Sequence, residues 1–155
     1  MAVMKFILLV MVLVLILTSL ILYRNDANLF QAPGIGQRLS IFLMTNTAET
    51  SDDHVFEELR TPVFGIGAES LQKYVLKAAT TLRWDVVSHD TENQNMEIIV
   101  RSPVLLFEDD IFVQVKFIDT NKSSLFIRSS SRKGKGDFAA NSGHIQMLIA
   151  QLKNK

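Results

Sequence analysis

Residues 128–141 read Arg-Ser-Ser-Ser-Arg-Lys-Gly-Lys-Gly-Asp-Phe-Ala-Ala-Asn, and this stretch decides the fold because it joins the clearest strand pattern to the last helix pattern. Residues 125–132 divide into two alternating sets, and this period of two is typical of a strand. Gly134 and Gly136 supply backbone freedom for a sharp turn, and Asp137 is a favourable residue for capping a helix. The stretch therefore predicts a strand, a tight corner and a helix.

Two amphipathic helices flank the strands in the sequence. The first spans residues 68–82, and the second runs from the corner towards the end of the chain. Each carries apolar residues at helical spacing, which places them on one face. These residues are Leu71, Val75, Ala78 and Leu82 in the first helix, and Phe138, Ile145, Leu148, Ile149 and Leu152 in the second. Each helix can therefore bury one face against a sheet.

Four strands are predicted between these helices, at residues 84–90, 97–107, 111–118 and 125–131. The turns predicted between them fall at residues 91–95, 108–110 and 119–123, which are polar or acidic. The dipeptide Ser102-Pro103 interrupts the second strand and indicates a bulge or an edge position there. Because short turns connect antiparallel neighbours, the sequence predicts a two-layer α+β domain made of a helix, a four-stranded antiparallel meander and a second helix.

Residues 6–23 read FILLVMVLVLILTSLILY and contain no charge, with Thr18 and Ser19 as the only polar residues. At the rise of an α-helix this run is about 27 Å long, close to the thickness of the hydrocarbon core of a bilayer. A cleaved signal peptide usually has a shorter apolar region and a small-residue cleavage site. A buried core helix usually has one polar face. An uncleaved transmembrane helix agrees with the pattern better than either alternative.

The predicted organisation has four parts. They are an N-terminal flank at residues 1–5, a membrane anchor at 6–23, a juxtamembrane linker at 24–53 and an α+β domain at 54–155. Lys5 and the α-amino group precede the anchor, whereas Arg24 after it is partly offset by Asp26. The positive-inside rule therefore slightly favours a cytoplasmic N-terminus. In a bacterium this predicts a single-pass inner-membrane protein whose C-terminal domain faces the periplasm.

The predicted linker is heterogeneous in composition. Pro33, Gly34 and Gly36 are expected to break any helix within it. Its apolar run at residues 39–44 is too short to span a membrane. That run is therefore expected either to pack on the domain or to rest in the membrane interface.

Composition excludes several classes of function. The formal net charge is zero and 21% of the residues are charged, so no overall field favours nucleic acid as a partner. The absence of cysteine excludes disulfides, thiolate metal sites, cysteine nucleophiles and a lipoprotein anchor on cysteine. Charge is uneven, however, because residues 45–119 hold six Lys/Arg against fourteen Asp/Glu, whereas residues 120–155 hold seven against one. This asymmetry indicates either a binding face or two oppositely charged parts of one fold.

The corner also resembles the C-terminal signature of a bacterial and plastid family catalogued as domain of unknown function 1499. Members of that family carry a similar Arg-Ser-x-Ser-Arg, a glycine, and then Asp and Asn at the start of the last helix. Residues 59–64, 82–87 and 109–110 resemble other segments of the family, in the same order along the chain. The resemblance covers about residues 54–152. It implies the fold, but it implies no activity, cofactor or catalytic residue.

The corner is the candidate binding site. A glycine-rich turn that enters a helix offers free N–H groups to an anion, and basic side chains lie beside it in the sequence. The candidate residues are Arg128, Arg132, Lys133, Gly134, Lys135, Gly136, Asp137 and Asn141. The run is not a P-loop, because it lacks the Gly-x4-Gly-Lys-Ser/Thr spacing. The alternative is structural: Asp137 caps the helix, while Arg128 and Arg132 pair with acidic residues on neighbouring strands.

Catalytic and metal chemistry have weaker signals. Ser129, Ser130 and Ser131 lack the Gly-x-Ser-x-Gly frame of a hydrolase nucleophile. The three histidines, His54, His89 and His144, are widely separated, although any of them near Asp109 or Asp110 could form an acid–base pair. The acidic residues 108–110 lack the spacing of a calcium loop. We therefore predict no catalytic residue, no metal and no cofactor.

The predicted function is that of a membrane-anchored extracytoplasmic module. Its partner would be an anionic ligand, a lipid headgroup or an envelope protein. The alternative is an extracytoplasmic hydrolase that uses a residue such as Ser131 or His144. An apolar ligand groove between the sheet and the helices is also open, although the same Val, Ile, Leu and Phe residues would equally build an ordinary core.

Overall fold

The computed structural model describes residues 1–101 and 107–154. The helices are α1 (Ala2–Arg24), α2 (Ile35–Met44), α3 (Ala68–Thr81) and α4 (Ala140–Lys153), with a short 3-10 helix at Glu57–Leu59. The strands are β1 (Thr47–Glu49), β2 (Val63–Phe64), β3 (Asp85–Asp90), β4 (Asn95–Arg101), β5 (Glu108–Asp119) and β6 (Lys122–Ser131). The interruption predicted at Ser102-Pro103 lies outside the described residues.

The described strands form one antiparallel sheet in the order β1-β6-β5-β4-β3, and β2 also pairs with β6. Strands β3 to β6 are consecutive neighbours, so the predicted four-stranded meander is confirmed. The two short strands extend the sheet beyond the prediction. Strand β1 pairs with the end of β6 through Thr47 and Ser130, and β2 pairs with its beginning through Val63 and Ser124.

The core lies between one face of the sheet and helices α3 and α4. Alternate residues of the three central strands point into it, as their period of two predicts. These buried strand residues are Met96, Ile98 and Val100 on β4, Ile111, Val113 and Val115 on β5, and Leu125 and Ile127 on β6. The predicted apolar stripes of the helices face them, so the predicted two-layer α+β architecture is confirmed.

The prediction of a turn at residues 108–110 is wrong, because these residues begin strand β5. Acidic residues favour turns when their carboxylates are solvated. Here each carboxylate has a cationic or titratable neighbour instead: Glu108 and Asp110 pair with Arg132, and Asp109 lies next to His144. These contacts come from a distant part of the chain, so they allow the strand to begin early.

Residues 24–53, which the sequence predicts to be a heterogeneous juxtamembrane linker, contain helix α2 and strand β1. Helix α2 starts directly after Gly34, whose φ of 111° only glycine adopts easily, and Gly36 lies inside the helix. The helix forms because Arg38 and Phe42 share a face that is buried against the domain. The predicted helix break at Gly36 is therefore wrong. Within the apolar run at residues 39–44, Leu39, Ile41 and Phe42 pack on the domain, whereas Leu43 and Met44 are exposed.

Helix α1 is long and apolar enough to cross a membrane, with a mean hydropathy of 3.0 over its most apolar window. Only 6% of that window is buried within the protein. The exception is Leu22 in the last turn, which packs on the core of the domain. The end of α1 is thus attached directly to the folded part of the chain.

Candidate functional site

The corner between β6 and α4 packs tightly against the end of helix α2. A Cβ atom placed on Gly136 would lie 2.6 Å from the carbonyl carbon of Leu43 and closer still to its oxygen, so only glycine fits there. The backbone N–H of Asp137 donates to the carbonyl oxygens of Phe42 and Thr45, at 3.2 and 3.1 Å. The N–H of Phe138 donates to Phe42 at 3.0 Å. The backbone donors of Asp137 and Phe138 are therefore already used within the protein.

The carboxylate of Asp137 caps the entry into helix α4. It accepts hydrogen bonds from the N–H groups of Ala139 and Asn141, at 3.0 and 3.1 Å. The prediction that Asp137 is the N-cap residue is wrong, because Phe138 and Ala139 adopt left-handed backbone angles and the helix begins only at Ala140, with Ala139 at the N-cap position. The carboxylate nevertheless satisfies the N–H of Asn141 in the first turn of the helix. Burial raises the pKa of Asp137, and the hydrogen bonds from Asn141 and Ala139 offset only part of that effect. The helix terminus is thus occupied by the chain's own carboxylate.

Asn141 is the centre of a buried polar network beneath the corner. Its side-chain nitrogen contacts the carbonyl oxygen of Asn46 at 2.9 Å, Ser131 Oγ at 2.9 Å and Asp137 Oδ2 at 2.6 Å. Its side-chain oxygen accepts a hydrogen bond from Ser129 Oγ at 2.6 Å. The side chain of Asn141 is fully enclosed and joins β6, the start of β1 and the helix cap. It holds the corner together and presents no atom to a ligand.

Arg132 is engaged in ion pairs at the end of the sheet. Its guanidinium binds both carboxylate oxygens of Asp110, at 2.6 and 2.8 Å, and also contacts Glu108. Glu108 in turn pairs with Arg101, at 3.0 Å from Nε. The hydrogen bonds from Arg132 lower the pKa of Asp110, and the same pairing raises the pKa of Arg132. The structural alternative is therefore correct for Arg132.

Arg128 lies away from the corner, on the face of the sheet opposite the helices. It stands between Phe112 on β5 and Glu49 on β1 in the strand register. Its side chain lines an open groove of about 430 Å³. The groove also contains Val87, Glu97, Ile99, Asp110, Phe112, Ser130 and Arg132. Arg128 and Arg132 thus line one groove on the open face of the sheet, whereas the glycine-rich turn follows the end of β6.

Lys133 and Lys135 are the members of the predicted site that remain available to an anion at the turn. Both are exposed, and neither takes part in an ion pair among the residues that the structure describes. Gly134 lies between them with a φ of 91°, and its carbonyl oxygen accepts a hydrogen bond from Asn46 at 3.0 Å. The turn is therefore fixed in place while its two lysine side chains point outward.

The turn lies close to the end of helix α1. The side-chain nitrogen of Asn25, the first residue after that helix, donates to the carbonyl oxygen of Phe138 at 2.8 Å. Gly143 in helix α4 also approaches Asn25 so closely that an added Cβ would lie 2.9 Å from its carbonyl oxygen. Lys135 is three residues from Phe138, so it lies within roughly 10 Å of this contact along the chain. The turn that carries the two lysines is therefore joined through Phe138 to the residue directly after the apolar helix.

A buried arginine, which sequence reasoning missed, also joins the end of α1 to the domain. Arg38 is fully buried and forms a bidentate pair with Glu58, at 2.6 and 3.1 Å. Its remaining donors reach the carbonyl oxygens of Ala27, Gln31 and Ala32. The guanidinium also lies 4.2 Å from the ring centroid of Phe56. One feature of the sequence could have indicated its role: Arg38 is the only charged residue between Asp26 and Glu49.

His144 is the histidine that the structure places near an acidic residue and a serine. Its Nδ1 lies 3.7 Å from Asp109 Oδ2 and 3.5 Å from Ser129 Oγ, and Trp84 packs edge-on against the ring. Burial lowers the pKa of His144, and the charge of Asp109 offsets part of this. A catalytic triad needs the serine on one ring nitrogen and the carboxylate on the other. Here both groups approach the same nitrogen, and Ser129 is fully buried.

Metal binding has no candidate centre in the described parts of the chain, where no group of three or more His, Asp or Glu side chains is arranged to hold an ion.

The family model described as "Protein of unknown function (DUF1499)" matches residues 44–152. The match begins at the last residue of α2 and includes the sheet, the corner and nearly all of α4. A search of curated proteins found no match.

Proposed function

The chain belongs to the DUF1499 family of proteins of unknown function, and from that premise we propose that it is a membrane-anchored extracytoplasmic module whose Lys133 and Lys135 bind anionic lipid headgroups. One observation carries the proposal. The turn that presents the two lysines is docked on α2 and hydrogen-bonded through Phe138 to Asn25, directly after the apolar helix. When that helix spans a bilayer, the lysines lie at its surface.

The energetic argument is electrostatic. A lysine close to an anionic membrane surface contributes about 1 kcal/mol to binding, so the pair contributes roughly 2 kcal/mol. This attraction decays over about 8–10 Å at physiological salt, which makes proximity to the surface decisive. Arg132 adds little because Asp110 and Glu108 neutralise it. The two lysines therefore supply the uncompensated positive charge at this corner.

The extracytoplasmic orientation rests on the charges that flank helix α1. Lys5 and the α-amino group precede the helix, and Arg24 after it is followed by Asp26. This small bias favours retention of the N-terminus in the cytoplasm. In a bacterium the domain then lies in the periplasm, and its lysines face the outer leaflet of the inner membrane.

Native mass spectrometry of the full-length chain in detergent tests this proposal directly. We expect the wild type to bind phosphatidylglycerol in preference to phosphatidylcholine. The double variant Lys133→Glu/Lys135→Glu should lose roughly 30-fold in phosphatidylglycerol affinity, as expected from the loss of about 2 kcal/mol. The matched control is Lys73→Glu/Lys77→Glu, which makes the same charge change on exposed positions of α3.

Two results of this experiment would contradict the proposal. One is an unchanged phosphatidylglycerol affinity in the corner variant, and the other is an equal loss in the α3 control. In both cases the partner would have to be sought among envelope proteins, by affinity purification from solubilised membranes. Melting curves of both variants show whether the domain remains folded.

The rival hypothesis is an extracytoplasmic hydrolase. Ser131 accepts a hydrogen bond from Asn141 and belongs to the network below the corner, and the geometry around His144 does not match a triad. The hypothesis predicts turnover by the purified chain in a broad screen of ester, amide and phosphate substrates. That turnover would have to disappear in His144→Ala or Ser131→Ala. We favour the binding module because these side chains hold the corner in place.

A further inference from the structure

The segment from Ala27 to Ala48 shows no exposed charge. Its only charged residue is Arg38, which is fully buried and paired with Glu58. The segment instead exposes several large apolar side chains. Phe30 is 92% exposed and Met44 is 75% exposed, while Ile35 and Leu43 are about half exposed. An exposed apolar surface without charges is unusual for a segment in water and typically marks a contact surface.

Helix α2 is fixed beside the end of α1 at both of its halves. In the first half, Arg38 Nη1 donates to the carbonyl oxygen of Ala27, which lies three residues after the apolar helix. In the second half, the carbonyl oxygen of Phe42 accepts from Phe138, whose own carbonyl accepts from Asn25. The ten residues of α2 extend over only about 15 Å. The exposed side of α2 is therefore held at the level where α1 ends.

We propose that helix α2 and the segment before it lie in the membrane interface, with Phe30, Ile35, Leu43 and Met44 inserted among the lipids. The inference rests on the membrane anchoring given under the proposed function, but not on the lysines. Helices that lie in the interface bury an apolar side to a depth of about 5–10 Å and keep polar groups towards water. The exposed side of α2 suits this position because it carries apolar residues and no charge, and its polar residues, Gln37 and Ser40, are uncharged.

A bilayer fits this surface better than a protein partner for two reasons. The surface is continuous with a helix that is long and apolar enough to span a membrane, so lipid already surrounds its edge. In addition, the one cation of the segment is withdrawn into the protein by Glu58 and three carbonyl oxygens. Withdrawal of that charge removes the main cost of placing the helix at the boundary of the hydrocarbon.

Site-directed spin labelling of the full-length chain tests the proposal. The chain has no cysteine, so single-cysteine variants need no altered background. Reporters at Phe30→Cys and Met44→Cys sample the proposed surface. The matched control is Phe117→Cys, which is 65% exposed near the β5–β6 turn, at the end of the sheet away from the corner. Each labelled protein is reconstituted into phosphatidylcholine vesicles, and collisions with oxygen and with a water-soluble nickel chelate are compared.

We expect the ratio of oxygen to nickel accessibility to be several-fold higher at positions 30 and 44 than at position 117. Equal ratios at all three positions would overturn the proposal. Phosphatidylcholine carries no net charge, so the result does not depend on anionic headgroups. Lipid contact at positions 30 and 44 together with no preference for phosphatidylglycerol would refute the lysine proposal alone. The reverse combination would refute the insertion of α2 alone.

Discussion

Replacement of Gly136 by alanine tests whether the corner is held by its contact with helix α2. The added Cβ would lie 2.6 Å from the carbonyl carbon of Leu43 and 3.0 Å from its Cα. Non-bonded carbon atoms prefer about 3.5–4.0 Å, so the two backbones must separate by roughly 1 Å. Such a movement strains the hydrogen bonds that Asp137 and Phe138 donate to the end of α2. These bonds contribute about 1 kcal/mol each, so we expect a loss of about 2–3 kcal/mol in unfolding free energy.

The assay is thermal unfolding of the full-length chain in detergent, followed by the fluorescence of Trp84, which packs against His144 in helix α4. For a chain of this size the expected loss lowers Tm by roughly 4–12 °C. Gly65→Ala is the matched control, because a Cβ at Gly65 would meet no atom within 4 Å. If Gly136→Ala melts at the same temperature as the Gly65→Ala control, the corner is not fixed by this contact and our reasoning is wrong.

Three further predictions concern buried charge and orientation. Glu58→Gln should cost about 3 kcal/mol in unfolding free energy, because it leaves the buried guanidinium of Arg38 without its carboxylate. Burial would raise the pKa of Glu58, but its hydrogen bonds and the charge of Arg38 lower it overall. The stability that this pair contributes is therefore complete above the ordinary glutamate pKa and is lost as the pH falls through the lowered pKa. Melting curves at acidic pH should show that Tm depends less on pH in Glu58→Gln than in the wild type. Because burial lowers the pKa of His144 and Asp109 offsets only part of this, the wild type should also lose stability as the pH falls below about 6.5. If His144→Gln loses stability with pH as steeply as the wild type in this range, His144 is not the group responsible. Finally, Val87→Cys should react with a membrane-impermeant maleimide in spheroplasts, whereas reaction only after lysis would reverse the proposed orientation.

The parts of the fold that the sequence predicts are those encoded locally. Residues 111–118 alternate strictly, and the stripe from Ile145 to Leu152 follows the helical period, so each element reports its own type and its buried face. The short turns between strands then fix the meander. Strand β1 could not be found in this way, because Thr47–Glu49 pairs with residues about eighty positions away in β6. A strand of three residues is too short to show the alternation of buried and exposed side chains that identifies a strand.

The candidate site was less predictable because its properties depend on distant partners. A carboxylate of Asp137 bound to the start of the last helix follows from residue type and position, although the N-cap position itself is occupied by Ala139. The pairing of Arg132 with Asp110 does not follow from the local sequence, since the two residues are twenty-two positions apart yet within hydrogen-bond distance. The position of the lysines beside the apolar helix depends on the contact between Asn25 and Phe138, which spans 113 residues. No local pattern records such contacts.

Arg38 restricts how the domain can be oriented when it meets other molecules. Its hydrogen bonds to Ala27, Ala32 and Glu58 fix the first residues after the apolar helix to the body of the domain. A domain on a flexible tether tumbles above its membrane and loses that rotational freedom whenever it binds. If helix α1 spans a bilayer, as proposed, the domain held by Arg38 has already lost most of this freedom on folding and retains chiefly rotation about the membrane normal. Partners in the same bilayer would therefore meet one fixed side of the sheet at a constant height, with a smaller orientational entropy cost of association.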